Sequence, residues 1–360
     1  MLIPQPLPSV AAIPVSTPFV GPEALEREAG QAFDLRLGAN ESLFGPSRQA
    51  IAAMAAQTAN AQFYGDPEGH ELRGAIAERH GASISNVVLA SGIDELLMLF
   101  ARAFVGVEDA VATTLGSYPT FEYAVRSVGG RFFYAHYRNG HLNLEALEGI
   151  AKNAHTRLVY LANPDNPSGT FQSSEAIAAF RRDVPPKIPI LLDEAYSDFV
   201  DDLPQFDPED TGLIRLRTFS KGHGMAGIRV GYALCHTEHV AMLNKLRMHF
   251  GVSSVAQAGA LASLRDTAHL AEVVRQTREA RKWLADQMRE MNFESLPSQT
   301  NFLTIDMGSK ERAEQVLMTL REKKVFIRKP MLPPLDGYIR VSIGPKSAME
   351  EFMARFRACV

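Results

Sequence analysis

Cysteine is nearly absent from the sequence, with two residues, Cys235 and Cys359, in a chain of 360. Two cysteines are too few for a disulfide framework, and their separation fits no metal-binding motif. No hydrophobic run approaches the roughly 18 residues that a membrane-spanning helix requires. No lysine or arginine precedes Arg27, so the basic region of a secretion signal is missing. These absences predict a cytoplasmic protein without a bound metal.

The sequence also lacks an excess of positive charge. Its formal net charge is −4 and its pI is about 6.2, which argues against nucleic acid or an anionic membrane as the main partner. Hydrophobic residues make up 46% and charged residues 22% of the chain, as in an ordinary globular protein. The length allows one large domain and a smaller one. The sequence contains no internal repeat and no low-complexity tract.

Short apolar, β-branched runs alternate with helical patterns through the first two thirds of the chain. The runs are 87–90, 110–114, 131–134, 157–161 and 188–193. Strands alternating with helices at this spacing predict a mostly parallel sheet covered on both faces, with ligands at the carboxyl ends of its strands. Beyond Cys235 the pattern is mainly helical. Residues 1–20 are rich in proline and are predicted to form an extended arm.

The segment 218–232, TFSKGHGMAGIRVGY, holds Lys221 in a glycine-rich loop between two strand-like runs. Burial of such a lysine would lower its pKa and make the amine a nucleophile. The hydroxyls of Thr218 and Ser220 and the guanidinium of Arg229, within the second run, would suit a phosphate. A loop of this kind is more often a solvated turn. An amine beside a phosphate site nevertheless points to pyridoxal phosphate bound through Lys221.

The spacing of Lys221, Gly227, Arg229 and Gly231 resembles the lysine signature of the class I/II pyridoxal-phosphate aminotransferases of fold type I. This resemblance implies an α/β fold with a mostly parallel seven-stranded sheet in a large domain and a smaller α+β domain. The corresponding division is an N-terminal arm with part of the small domain at 1–40, a cofactor-binding domain at 41–250 and a small domain at 251–360. It also implies a homodimer with shared active sites.

Polar residues follow two of the predicted strands. Asn166 lies in the sequence NPDNPSG at 163–169, and Asp193 and Tyr196 follow a strongly apolar run. A carboxylate at such a strand end is costly unless it is paired. A rigid turn and a structural ion pair would also explain these residues. In the family that the chain resembles, Asp193 would hold the ring nitrogen of the cofactor, and Asn166 and Tyr196 its ring oxygen.

Three further segments resemble cofactor contacts of the same family. Gly92, Ile93 and Asp94 form a glycine turn between a strand and a helix, where free N–H groups bind anions. The resemblance implies that this turn contacts the cofactor phosphate. It also implies that an aromatic ring after Pro119 lies on the pyridine, with Phe121 favoured over Tyr123. Tyr64 would reach the phosphate of the neighbouring subunit.

Substrate contacts are expected from two arginines. Arg340 lies inside an apolar strand, where a guanidinium is costly unless it meets an anion. In the family its counterpart binds the α-carboxylate of the substrate. The resemblance is closest to the histidinol-phosphate aminotransferase group, in which Arg328 would contact the substrate phosphate. Asn40 matches a substrate-side Asn-Glu pair of that group, and Phe19 stands where a tyrosine usually contacts the substrate.

The resemblance therefore predicts an enzyme that moves an amino group between an amino acid, or histidinol phosphate, and a 2-oxo acid. Three alternatives remain at this point: an aminotransferase for aromatic or other amino acids, a decarboxylase of amino-acid phosphates, and an inactive cofactor-binding regulator. The presence of every expected catalytic residue, Lys221, Asp193 and Tyr196, disfavours the regulator. The sequence assigns no role to His223, which stands where the family usually has an apolar or aromatic residue.

Overall fold

A seven-stranded sheet forms the centre of the protein, whose computed structural model describes residues 3–14 and 20–360. Its strands are β2 (Val87–Ala90), β3 (Ala110–Thr114), β4 (Arg131–Ala135), β5 (Thr156–Ala162), β6 (Ile190–Asp193), β7 (Leu213–Thr218) and β8 (Gly231–Leu234). Four strands are outside this sheet: β1 (Leu35–Arg36), β9 (Phe302–Asp306), β10 (Val325–Phe326) and β11 (Tyr338–Ser342).

The strand order in the sheet is β2-β8-β7-β6-β5-β3-β4. Strand β8 runs antiparallel to both of its neighbours, and the other neighbouring pairs are parallel. The predicted mostly parallel sheet is therefore confirmed. Because β5, β6 and β7 are adjacent and parallel, the loops that follow them emerge at the same edge.

Helices cover the central sheet and build part of a second hydrophobic core. They are α1 (Pro8–Ala11), α2 (Pro22–Ala29), α3 (Arg48–Thr58), α4 (His70–His80), α5 (Ile93–Phe104), α6 (Thr120–Ser127), α7 (Leu144–Ala151), α8 (Ser174–Asp183), α9 (Thr237–Asn244), α10 (Ser254–Arg265), α11 (Thr267–Glu290), α12 (Lys310–Glu322) and α13 (Lys346–Arg357). Helices α11, α12 and α13 contribute to the second core.

Several helices begin at a serine that satisfies a free backbone N–H of the first turn. The Ser47 hydroxyl accepts from the Ala50 amide at 3.1 Å, and the Ser173 hydroxyl accepts from the Ala176 amide at 3.2 Å. Ser253 caps α10 through the Ala256 amide in the same way. Each cap stabilises the start of its helix by about 1 kcal/mol.

A second hydrophobic core lies outside the central sheet. Strands β9 and β11 pair antiparallel, and β1 pairs with β10 in parallel. Leu35 and Leu37 pack in this core with residues of α11, α12 and α13. Helix α10 belongs elsewhere, because Ala256 and Ala260 pack with α3 and α4 against the central sheet. The division at residues 40 and 250 stays a prediction.

Two local expectations differ from the structure. Part of the arm predicted to be extended forms a helical turn, α1, because Pro8 supplies a suitable φ angle at the first helical position. The run around Arg229 is not a strand throughout. Residues 226–228 form a 3₁₀ turn and Arg229 has a φ of 60°, so β8 begins only at Gly231.

A buried ion cluster joins β6 to β7 on the side of the sheet away from the Asp193 carboxylate. Glu194 accepts two hydrogen bonds from Arg215, at 2.9 and 2.7 Å, and one from Arg217 at 2.9 Å. The Glu194 and Arg215 side chains are 1% and 3% exposed. With three charge-assisted hydrogen bonds on one carboxylate, the cluster fixes the chain immediately after Asp193.

Candidate active site

A cavity of about 300 Å³ opens at the carboxyl ends of β5, β6 and β7. Residues near β1 and β11 of the second core close its other side. It brings together most of the residues that the sequence singled out: Asn40, Ile93, Asp94, Asn166, Asp193, Tyr196, Thr218, Ser220, Lys221, Arg229, Arg328 and Arg340. The positions of these side chains agree with the expectation that ligands bind at this edge of a parallel sheet.

Lys221 presents its amine to the cavity from the loop after β7. Its Nζ donates a hydrogen bond to the Asn40 carbonyl at 3.1 Å and lies 5.7 Å from the centre of the Tyr196 ring. Burial and, to a smaller extent, the nearby Arg340 guanidinium lower the pKa of this amine to about 8. A fraction of the amine is therefore neutral near pH 8 and able to act as a nucleophile or base.

Asp193 ends β6 with its carboxylate in the cavity wall. Its Oδ1 accepts from the Ala195 amide at 3.0 Å, and its Oδ2 accepts from the Tyr160 hydroxyl at 2.8 Å. Burial raises the pKa of the carboxyl to about 6, although both hydrogen bonds act in the opposite direction. The sequence analysis did not identify Tyr160, which lies on β5 and lines the same cavity.

Tyr196 and Asn40 form the part of the site next to the second core. The Asn40 side-chain amide donates to the Tyr196 hydroxyl at 2.8 Å. Burial raises the pKa of Tyr196 to about 12, so this hydroxyl stays protonated. Asn40 itself has a φ of 54°, and its carbonyl also accepts from Asn301 at 3.0 Å. The turn at Asn40 therefore connects the two cores directly beside the Lys221 amine.

An anion cradle lies at the start of α5. Gly92 has a φ of 86°, a backbone conformation that favours glycine, and a Cβ at this position would also displace Nη2 of Arg229, which lies 2.4 Å away. The Arg229 guanidinium also lies 3.4 Å from Asp94. The hydroxyls of Thr218 and Ser220 are 2.8 Å apart on the adjacent loop. A guanidinium, two hydroxyls and a helix N-terminus are the donor set that a phosphate group requires.

Two arginines line the opposite end of the cavity. Arg340 donates from Nη1 to the Asn166 side chain and from Nη2 to the Gly38 carbonyl at 3.0 Å. Its buried Nε meets no acceptor within the described part of the chain. Arg328 is held beside it, because the two backbones exchange hydrogen bonds of 3.3 and 2.6 Å. Burial lowers the pKa of both guanidinium groups because it removes water from their positive charges. An anion bound beside them would compensate for this lost hydration.

The structure contradicts the prediction that the Phe121 ring lies in the cofactor site. Its ring is 1% exposed in the core of the central sheet and does not line the cavity. Helix α6 begins at Thr120, and its first turn directs Phe121 toward Tyr160 and Phe132. Tyr118, before the helix, lines the cavity instead. Its hydroxyl donates to Asp94 Oδ1 at 2.8 Å, which connects this ring to the anion cradle.

Two other residues, the expected Tyr64 and the unassigned His223, lie away from the cavity. Tyr64 is 83% exposed and stacks on Phe250, with the ring centres 4.6 Å apart. Phe19 lies outside the described residues. His223 points to the other side of the lysine loop, where its Nδ1 is 2.8 Å from the Ser263 hydroxyl. Burial lowers the pKa of His223, and the side chain serves to pack this loop against α10.

Comparison with known proteins shows which family the sequence matches. Residues 34–356 match the family model described as aminotransferase class I and II. The histidinol-phosphate aminotransferase of Moorella thermoacetica is 32% identical over 93% of this chain and 88% of that protein. The enzyme of the same name from Desulfotalea psychrophila is 32% identical over 99% and 95%.

A solved structure extends the comparison to three dimensions. The crystal structure of histidinol-phosphate aminotransferase from Sinorhizobium meliloti, in complex with pyridoxal-5'-phosphate, is 36% identical to this chain. It superposes with a TM-score of 0.95 and covers 100% of this chain and 99% of that one. The agreement therefore includes both hydrophobic cores and the cavity between them.

The central sheet and the lysine, carboxylate and anion cradle at its edge are those of a fold-type I enzyme. The family match covers most of the sequence, and the chain belongs to the class I and II aminotransferases. The predicted fold class, family and aminotransferase activity are thus confirmed, together with the pyridoxal-phosphate dependence that they imply.

None of the helices formed by residues 3–14 and 20–360 is both long and apolar enough to cross a membrane. The cytoplasmic location stays a prediction.

Proposed function

We propose that the protein transfers an amino group between histidinol phosphate, or an amino acid, and a 2-oxo acid. The observation that carries this proposal is the pair Arg328 and Arg340, which line one cavity with the Lys221 amine. Two adjacent guanidinium groups suit a phosphate or a second carboxylate better than an uncharged side chain. The names of the two bacterial relatives and of the Sinorhizobium meliloti enzyme support histidinol phosphate as a substrate. It would be the amino donor in one direction of the reaction and the aminated product in the other.

The cavity residues fit pyridoxal phosphate at both ends of the molecule. Gly92, Ser220 and Arg229 would hold its phosphate, with Ile93, Asp94 and Thr218 completing the cradle. Asp193 would face its ring nitrogen, and Asn166 and Tyr196 its ring oxygen. Tyr118 would contact the ring face, the role that the sequence had suggested for Phe121. When bound, this cofactor supplies the electron sink for the bond changes at the substrate Cα.

The protein's own groups then have distinct tasks. Lys221 binds the cofactor and moves a proton at the substrate Cα, a role suited to an amine whose pKa is about 8. Arg340 binds and orients the anionic group of the substrate. Tyr196 donates a hydrogen bond, because its raised pKa keeps the hydroxyl protonated. Ionised Asp193 favours a positive charge on the group that it faces.

The proposal includes a homodimer in which Tyr64 serves the site of the neighbouring subunit. Tyr64 and Phe63 are 83% and 67% exposed, and Tyr64 does not line the cavity of its own subunit. The exposed Phe250 ring contacts Tyr64, and a contiguous exposed apolar patch is typical of an interaction surface. A phenol supplied by the partner would add a donor to the phosphate end of the cavity.

The two arginines are expected to affect different substrates. Arg340→Ala should lower kcat/KM for every amino-acid substrate, whereas Arg328→Ala should act selectively on substrates with a second anionic group. A charge-assisted contact contributes about 1.5–3 kcal/mol, so each loss should be about tenfold to a hundredfold. Steady-state kinetics with histidinol phosphate, glutamate and phenylalanine, each paired with a suitable 2-oxo acid or amino donor, measures this difference.

Arg312→Ala is the matched control for this experiment. Its guanidinium also lies over an aromatic ring, Phe293, at 4.8 Å, as Arg328 lies over Phe326 at 5.4 Å, but it is exposed on α12. Its replacement should leave kcat/KM unchanged for all three substrates. Equal losses for phenylalanine and histidinol phosphate in Arg328→Ala would make Arg328 a structural residue and remove the support for histidinol phosphate.

A second prediction tests the shared site. Tyr64→Ala and Lys221→Ala should each be impaired alone, but unfolding and refolding them together should restore activity. In a hybrid dimer, the site with an intact Lys221 receives Tyr64 from the other subunit. Random assembly would restore at most about a quarter of the wild-type rate, since half of the dimers are hybrid and each has one complete site.

Mixing Asp193→Ala with Lys221→Ala provides the control. Both residues belong to the same subunit's cavity, so neither site of that hybrid is complete and no recovery is expected. Recovery in both mixtures, or in neither, would contradict the assignment of Tyr64 to the neighbouring site.

A further inference from the structure

The Tyr160 hydroxyl is directed at the carboxylate that the cofactor would face. Tyr160 is 2% exposed on β5, and its hydroxyl donates to Asp193 Oδ2 at 2.8 Å. The other oxygen, Oδ1, accepts from the Ala195 amide. Burial and the Asp193 charge raise the pKa of Tyr160 well above its ordinary value, so the phenol remains a donor. One side-chain donor and one backbone donor thus fix the two oxygens of Asp193.

Phe121 holds the Tyr160 ring in this position. The two ring centres are 5.0 Å apart with an interplanar angle of 42°. Phe132 of β4 packs edge-on against Phe121, with the centres 6.1 Å apart at 80°. The Tyr160 ring therefore has a rigid aromatic support behind it, and aromatic contacts in close-packed interiors leave little freedom for rotation.

We propose that Tyr160 is a positioning residue for Asp193, whose carboxylate it orients and keeps ionised toward a cationic group in the cavity, with Phe121 as its support. The inference rests on the proposed cofactor arrangement, in which that cationic group is the ring nitrogen of pyridoxal phosphate. In this proposal Tyr160 lines the cavity but acts through Asp193, and it is assigned no step of its own at the reacting atoms.

The charges around Asp193 explain why this donor matters. Burial among β5, β6 and β7 raises the pKa of the carboxyl, and Asp94 from α5 acts in the same direction. The opposing groups are the Tyr160 hydroxyl, the Ala195 amide and the Lys221 amine. Removing the phenol therefore raises the pKa of Asp193 further. The carboxyl would then be neutral over more of the neutral pH range and would lose its attraction for a cation.

Tyr160→Phe tests this proposal through cofactor affinity, measured by equilibrium dialysis of the full-length protein with pyridoxal phosphate from pH 6 to pH 9. We expect affinity about tenfold weaker near pH 7, as for the loss of a hydrogen bond to a charged group. The dissociation constant of Tyr160→Phe divided by that of the wild type should fall toward one as the pH rises. At high pH, Asp193 is ionised in the variant even without the phenol. A ratio that is constant across this range would overturn the proposal.

A double-mutant cycle separates action through Asp193 from a general packing effect. In an Asp193→Ala background, Tyr160→Phe should change the dissociation constant by less than about twofold. An undiminished effect in that background would mean that Tyr160 acts independently of the carboxylate.

Tyr134→Phe is the matched control. It removes a phenol on the edge strand β4, outside the cavity, that donates to another carboxylate, Glu122, at 2.9 Å. It should leave the affinity and its pH dependence unchanged. A protein that binds no pyridoxal phosphate at all would refute the proposed function, whereas normal binding by Tyr160→Phe would refute this inference alone.

Discussion

Replacing Lys221 with alanine should lower the transamination rate by as much as about four orders of magnitude. Acid–base catalysis by a positioned side chain contributes up to about 10⁴-fold, and Lys221 is the lysine among the residues that line the cavity. The variant should still fold, because the amine makes one hydrogen bond to the residues that the structure describes, to the Asn40 carbonyl. Single-turnover kinetics with excess enzyme and an amino-acid substrate measures the remaining rate.

The control for this prediction is Lys152→Ala, which removes an exposed amine paired with Glu148 on α7. Its activity should equal that of the wild type. Excess methylamine should restore part of the Lys221→Ala rate, since a free amine can take over the proton transfer in the emptied space. Full activity of Lys221→Ala without added amine would contradict the assigned site.

Glu194→Ala should destabilise the protein by about 3–5 kcal/mol, the cost of leaving a buried charge unpaired. The substitution would leave Arg215, whose side chain is 3% exposed, and Arg217, at 11%, without their shared carboxylate. Burial by itself would raise the pKa of Glu194, but Arg217 and Arg215 outweigh it and lower the pKa below the ordinary value of a glutamate. The stabilisation is therefore fully present at neutral pH and is lost as the pH falls through the lowered pKa of the folded state.

Urea denaturation of the wild type and the variant, at pH 7 and at pH 4, measures this contribution. Glu272→Ala is the control, because Glu272 pairs with Arg275 on the surface of α11 and surface pairs contribute little. Glu272→Ala should unfold at the same urea concentration as the wild type. If Glu194→Ala also unfolded with the wild type at pH 7, the buried cluster would not be what fixes the chain after Asp193.

The residues with the strongest sequence signals were predictable because their positions follow from the sheet. Asn166, Asp193 and Lys221 are far apart in sequence, but each lies at the end of one of three parallel strands or in the loop after it. Once the alternation of strands and helices predicts a parallel sheet, the ends of β5, β6 and β7 must lie together. The family signature then connected these residues with one cofactor. The fold and the centre of the site therefore needed little beyond the local sequence.

Phe121 shows where this reasoning fails. Three aromatic residues, Tyr118, Phe121 and Tyr123, occur within six positions, and which of them faces the cavity depends on where α6 begins. Helix boundaries are among the least certain features of a sequence. With the first turn starting at Thr120, Phe121 faces the sheet, whereas Tyr118 precedes the helix and remains at the strand end.

The contacts of Tyr160 and His223 depend on tertiary packing, which a local sequence pattern does not predict. Tyr160 meets Asp193 because β5 and β6 pair with Ala162 opposite Asp193, two residues after the tyrosine. A hydroxyl within an aliphatic strand was the available signal, since a buried phenol needs a partner. His223 contacts Ser263 of α10, a residue forty positions away, and no spacing rule connects the two.

Attachment of the cofactor to Lys221 is the most direct test of the proposed site. Full-length protein incubated with pyridoxal phosphate should become yellow, and borohydride reduction should make the attachment irreversible. Mass analysis of the digested protein should then find the added mass on the peptide that contains Lys221, and no such peptide from Lys221→Ala. Attachment to a different lysine, or no incorporation, would contradict the assignment of Lys221 as the residue that holds the cofactor.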